Sequence, residues 1–173
     1  INQFVSQLML SAVTKRLYIY DSTTATVGVY DSSTMNRIHD ITLDQAPKSV
    51  ALNFAQDGLI FGYQSGQIYF VDFASETVEQ IGDALMDVGQ IYALSDRLIL
   101  VGGLGSNQVF KTIDVDTGQI VSTASSFYAF HEIVWNPQAN VFYGLRYGVS
   151  PVDIHRIPVN PATGAIGTIT DSR

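Results

Sequence analysis

Thr112-Ile113-Asp114-Val115-Asp116-Thr117-Gly118 is an apolar run that ends on an aspartate and breaks into a polar turn. The chain repeats the phrase. Val29-Tyr30-Asp31-Ser32-Ser33-Thr34 and Phe70-Val71-Asp72-Phe73-Ala74-Ser75 are two more copies, and Ile157-Pro158-Val159-Asn160-Pro161-Ala162-Thr163-Gly164 is a fourth, with Asn where the others have Asp. Asp31 to Asp72 is 41 positions and Asp72 to Asp114 is 42; Gly164 follows Gly118 by 46, because a longer loop precedes the fourth copy. Strands repeating every ~40–50 residues are the mark of a β-propeller rather than of a helical solenoid.

Outward from these anchors, each repeat divides into four short β segments. The expected strands are 6–12, 17–20, 26–30 and 37–42 in the first repeat and 49–53, 59–63, 67–72 and 78–82 in the second. They are 90–94, 98–102, 109–114 and 120–123 in the third, and 132–135, 141–145, 153–157 and 165–169 in the fourth. Gln67-Ile68-Tyr69-Phe70-Val71 alternates in polarity, whereas Leu98-Ile99-Leu100-Val101 is apolar on both faces, as suits a strand sandwiched between neighbouring sheets. Asp57-Gly58, Ser95-Asp96-Arg97 and Asn136-Pro137-Gln138-Ala139-Asn140 supply turn chemistry between first and second strands. The best helical candidate, 83–88, is too short to count. The fold class is therefore all-β: a single, partial propeller over 1–173 with four antiparallel four-stranded blades at about 5–42, 49–82, 90–123 and 131–170.

Composition agrees. Of 173 residues, 46% are hydrophobic and only 14% charged, which argues against disorder, and the 14 glycines fall mostly between apolar runs. The net charge of −7, with nine basic residues scattered singly, excludes a phosphate-backbone partner; no nucleic acid is expected. No apolar run reaches the ~18 residues of a membrane span, so no membrane insertion is expected. The absence of cysteine removes disulfides, thiolate metal sites and a Cys nucleophile.

Arg16-Leu17-Tyr18-Ile19-Tyr20-Asp21-Ser22, followed by Ala25-Thr26-Val27-Gly28-Val29-Tyr30-Asp31, resembles the YVTN-type repeat of the quinoprotein amine dehydrogenase-like β-propellers. Ala46-Pro47-Lys48-Ser49-Val50-Ala51-Leu52-Asn53-Phe54-Ala55-Gln56-Asp57-Gly58 is similar to that family's link into the next blade. The specific text covers about 16–58; the second and third repeats match more loosely and the fourth departs furthest. The resemblance implies a propeller, often of bacterial or archaeal exported and surface proteins, and no single activity, since such blades occur in surface-layer proteins, lactonases and dehydrogenase subunits.

Four blades leave no spare strand to clasp a ring. The outward faces of the first and last blades are expected to expose core-type residues, Leu8 and Leu10 at one end and Ile133 and Trp135 at the other, with no polar cap. Because the chain opens on Ile1, the first expectation is that it is part of a larger, seven- or eight-bladed ring, with a leader removed or flanking sequence missing. The second is a homodimer that completes the ring about a two-fold axis.

Ligand sites on propellers gather on the face that carries the inter-blade links and the loops between second and third strands. Here those loops are 22–25, 42–48, 64–66, 83–89, 103–108, 122–131 and 146–151. The richest is Ser125-Ser126-Phe127-Tyr128-Ala129-Phe130-His131-Glu132. Tyr128, His131 and Glu132, with Arg146 and Tyr147, are the candidate ligand- or partner-binding residues; His131 and Glu132 could also serve as an acid–base pair.

Other motifs read as structure. Asp114-Val115-Asp116-Thr117-Gly118 starts like a calcium loop, but Gln119-Ile120-Val121 lacks the further ligands, so a side-chain-capped turn is the better reading. His39, His131 and His155 sit in different blades, and Asp153 and His155 are expected to point to solvent together. Gly102-Gly103-Leu104-Gly105-Ser106 opens no helix and is no phosphate cradle; no G-x-S-x-G elbow exists; Trp135 reads as core. No catalytic residue, cofactor or metal site is assigned. The expected function is a non-catalytic module that binds or scaffolds a protein or glycan partner on its loop face. It would belong to a bacterial exported protein, periplasmic or at the cell surface. The alternatives that the resemblance suggests are a lactonase- or hydrolase-type enzyme with a metal in the channel, and a supporting subunit of a quinone-type dehydrogenase.

Overall fold

The computed structural model describes residues 6–105, 107–130, 132–146 and 153–171. It is all strand and turn. β1 (Gln7–Ser11), β2 (Arg16–Asp21), β3 (Thr26–Asp31) and β4 (Arg37–Thr42) form the first sheet; β5 (Ser49–Leu52), β6 (Gly58–Gly62), β7 (Gln67–Asp72) and β8 (Val78–Asp83) form the second. The third holds β9 (Val88–Ala93), β10 (Leu98–Gly103), β11 (Val109–Asp114) and β12 (Ile120–Ser125). The fourth holds β13 (Glu132–Asn136), β14 (Val141–Arg146), β15 (Asp153–Pro158) and β16 (Thr170–Asp171). Each sheet is an antiparallel meander in chain order. Fifteen strands lie within two residues of the sequence expectation at either end. The sixteenth does not: the ladder expected at 165–169 is reduced to an isolated Val159–Ile166 bridge, and β16 pairs only with His155 and Arg156. Pro158 offers no N–H there, its carbonyl is taken by the Gly167 N–H, and Gly164 turns with φ at 75°.

The repeated Asp explains itself at atomic scale. Asp31 Oδ1 accepts the backbone N–H groups of Ser33 and Thr34; Asp72 Oδ1 those of Ala74 and Ser75; Asp114 Oδ1 those of Asp116 and Thr117; Asn160 Oδ1 those of Ala162 and Thr163. Four residues after each anchor the backbone enters the left-handed region, at Met35, Glu76, Gly118 and Gly164, and that residue's N–H returns to the anchor's carbonyl. Asn serves as well as Asp because the turn uses one carbonyl-type oxygen. The calcium-like text at Asp114 is thus a turn, and its second oxygen takes Arg97 Nε at 2.7 Å.

The sheets stack face to face through three apolar cores. Tyr18, Val27 and Val29 of the first blade meet Val50, Leu59 and Phe61 of the second. Ile60 and Ile68 of the second meet Ile91, Ile99 and Val101 of the third. Leu98, Leu100 and Phe110 of the third meet Ile133, Phe142 and Ile157 of the fourth. Inner strands are also stitched to one another: the Val50 N–H donates to Gln7 Oε1, the Ile91 N–H to Ser49 Oγ, and the Tyr92 hydroxyl to the Ile133 carbonyl. β6 and β10 are buried at every position, because each has a blade on both sides.

The two outward faces are not covered. On the first blade Leu8 and Leu10 are exposed, Leu10 by 61%, as expected. On the fourth blade the expectation is corrected. Ile133 is buried and Trp135 packs 4.3 Å from Phe142, both inward, while the intervening Val134 is 57% exposed. Adjacent strand residues face opposite ways, so a one-residue misjudgement exchanges the two faces.

Candidate functional site

The loop face between the third and fourth blades is built around Gln108, which is buried. Its carbonyl accepts the Ser126 N–H and its side-chain Oε1 accepts the Phe130 N–H at 3.0 Å. Both ends of the link after β12 are thereby clipped to the third blade. This link is shorter than the expected 122–131, because β12 runs on to Ser125. Ser126 Oγ accepts the Tyr128 N–H and tightens the bend. Phe127, at the tip, is 87% exposed.

Behind the tip, Phe130 is buried against Phe110, with ring centroids 6.0 Å apart. It also fills the space above Gly144, where any Cβ would lie within 2.7 Å of the ring. His155 lies beside two of the link's three aromatic rings, 5.3 Å from Tyr128 and 5.1 Å from Phe130. The Arg146 guanidinium lies 4.0 Å over the Tyr128 ring and 3.8 Å from Asp153. Tyr128 is thus held between a cation and an imidazole, at the surface and with little freedom.

Of the sequence candidates, Tyr128 and Arg146 are brought together. Glu132 is not: it opens β13 on the outward side of the sheet, opposite Leu145. His131 and Tyr147 lie outside the described residues. Asp153 and His155 do share a strand face, but it is the inward one and both are buried, contrary to the expectation of solvent exposure. The clipped link covers that face. His155 Nε2 has no hydrogen-bond partner. His39, in the first blade, pairs with Glu76 of the second at 3.1 Å, far along the stack from His155. Among the described residues no three of His, Cys, Asp and Glu converge on a metal-sized site.

Two residues without a sequence signal join the surface. Leu104 and Leu85 are both exposed on neighbouring loops, and the Leu104 N–H donates to the Asp87 carbonyl. Lys111 Nζ donates to the Ala84 carbonyl at 2.6 Å and pins the Leu85 segment. Between Leu104 and Phe130 lies a cavity of about 280 Å³ that reaches Gln90, whose Oε1 is buried without a partner. The groups whose acidity moves most are structural. Hydrogen bonds to Ser33 and Thr34 pull Asp31 down to about 2, and burial between blades pushes Tyr20 and Tyr92 up to about 12.

No family model matches the chain, and no curated protein matches it significantly in sequence. Solved structures do match in shape. Hydrazine synthase from Kuenenia stuttgartiensis superposes with a TM-score of 0.68 at 16% identity, over 95% of this chain and 48% of that one. A chain in the crystal structure of a mitotic checkpoint complex superposes with a TM-score of 0.70 at 12% identity, over 98% of this chain and 54% of that one. The fold is a β-propeller, represented by four blades. This chain spans about half the length of either neighbour, and at these identities the likeness carries the fold and no activity.

Proposed function

We propose that this propeller is a non-catalytic binding module whose loop face docks a protein partner. One observation carries the reading. Phe127, Tyr128, Leu104 and Leu85 expose apolar surface on adjacent loops, and backbone clips and a cation–π contact hold those loops in place. Rigid aromatic surface with a nearby guanidinium is what interface hot spots are made of, since little side-chain entropy is lost on docking. That the neighbour in the mitotic checkpoint complex belongs to an assembly is in keeping with a partner-binding role for such blades.

The finer reading follows the sequence. The resemblance of the first repeat to the YVTN-type propellers supports a protein of a bacterial cell surface or periplasm, with a glycan as the alternative occupant. The uncovered end faces favour a ring completed by further blades, from the same polypeptide or from a second copy.

Site-specific photocross-linking tests the loop face. A benzophenone side chain at position 127 is expected to capture a discrete protein from the native host. Tyr128→Ala and Leu104→Asp should abolish capture, while the same probe at position 13, on the opposite face, should capture nothing. Equal yields from both faces would overturn the assignment.

A further inference from the structure

On the opposite, turn-bearing face, the seam between the second and third blades opens into a cavity of about 210 Å³. Its apolar floor is Ile60, Phe70 and Ile99, and Phe54 stands at its mouth, 55% exposed. The rim carries Glu79, Asp96 and Asp116. Arg97 is the basic group nearby; its guanidinium is committed to Asp114 at 2.7 Å and makes a longer ion pair with Asp116 at 3.7 Å. The seam continues as an open trough lined by residues 79–83 and 115–118, along the outer strand β8. The cavity falls below the roughly 300 Å³ of a drug-sized ligand pocket, so it suits one long side chain rather than a whole cofactor.

We infer that this seam receives an arginine side chain from a peptide segment of a partner protein. Arginine is complementary to this seam in both shape and charge. The floor matches the methylene stem, the exposed phenyl ring of Phe54 offers a π-face to the guanidinium, and three rim carboxylates face at most one committed cation. A neutral apolar side chain would satisfy the floor and leave the carboxylates unused. An acidic one would be repelled by the rim and by a chain of net charge −7. The trough along β8 provides room for the peptide backbone on either side of the arginine. This surface is separate from the loop face, so either can fail without the other.

The probe is the capped peptide acetyl-Gly-Gly-Arg-Gly-amide, titrated into isotope-labelled protein while the isoleucine methyl signals are followed. The expected result is a saturable shift of the Ile60, Ile81 and Ile99 methyls that weakens as salt rises. The peptide with norleucine in place of arginine should bind much more weakly. Glu79→Gln and Asp96→Asn, both at exposed positions that leave the fold intact, should each weaken binding roughly two- to fivefold, the range for exposed charge pairs. Absence of methyl shifts at millimolar peptide overturns the proposal. So does equal binding of the norleucine peptide, and so does a response confined to the loop face.

Discussion

Asp31 concentrates four donors on one carboxylate oxygen: the N–H and hydroxyl of Ser33 and the N–H and hydroxyl of Thr34. That is why its acidity is pulled down to about 2, and hydrogen bonding likewise lowers Asp72, while Asp114 is lowered chiefly by Arg97. The linkage has one sign. A carboxyl held below its unfolded value of about 3.9 stabilises the folded state above that pH, and the contribution fades as pH falls toward the folded value. Asn160 makes the same two backbone bonds in the fourth blade with no titrating group. Asp31→Asn should therefore keep the turn yet flatten the acid limb of stability. The drop in Tm between pH 7 and pH 3 should be smaller than in the wild type, measured by circular dichroism. An unchanged drop would mean that these bonds do not drive the acid sensitivity.

At the scale of elements, the blades are held by how closely their strands approach. Gly144 in β14 lets Phe130 reach across from the preceding link; an added Cβ would meet three ring carbons at 2.7–2.9 Å. Phe130 is fully packed between Phe110 and His155 and has nowhere to retreat. Gly144→Ala is expected to cost about 1–3 kcal/mol, the usual penalty for overpacking a core. Adding Phe130→Leu should recover part of that loss, because the two positions share one space. Urea unfolding of the single and double variants measures both. Additive losses would show that the clash is relieved elsewhere. The same comparison reports on the candidate surface, since Phe130 anchors the link that presents Phe127 and Tyr128.

At the scale of the molecule, the end faces follow the internal pattern without the internal partner. Val50 and Phe61 on the second blade, like Ile91 and Val101 on the third, are covered by the preceding blade. Leu8 and Ile19, paired across β1 and β2, face outward on the first blade, and Val134 and Ile154 do so on the fourth. Apolar surface of this kind drives association. The isolated 173-residue chain is expected to self-associate with rising concentration in light scattering, and Leu10→Lys, at an already exposed position, should suppress it. A monodisperse wild-type monomer at all concentrations would show that these faces are stable in water.

What was legible in the sequence was whatever depends on near neighbours in the chain. The anchor phrase specifies its turn because an Asp or Asn oxygen meets N–H groups two and three residues on, and fifteen of sixteen strands lie where the phrase and the turns place them. Less legible was which face of a strand points inward. The fourth blade carries apolar residues on both its covered and its uncovered face, so Ile133 and Val134 look alike, and Asp153 and His155 look solvated until the 126–130 link is laid over them. Gln108 reaches Phe130 across 22 positions, and Leu104 meets Asp87 only when blades stack. Local hydrogen bonding at the turns and the positions of the strands along the chain were set by residue order alone. The surface formed by Tyr128, Arg146 and Leu104, and the acidic seam beneath Phe54, arise from one sheet packing on the next, which no local pattern encodes.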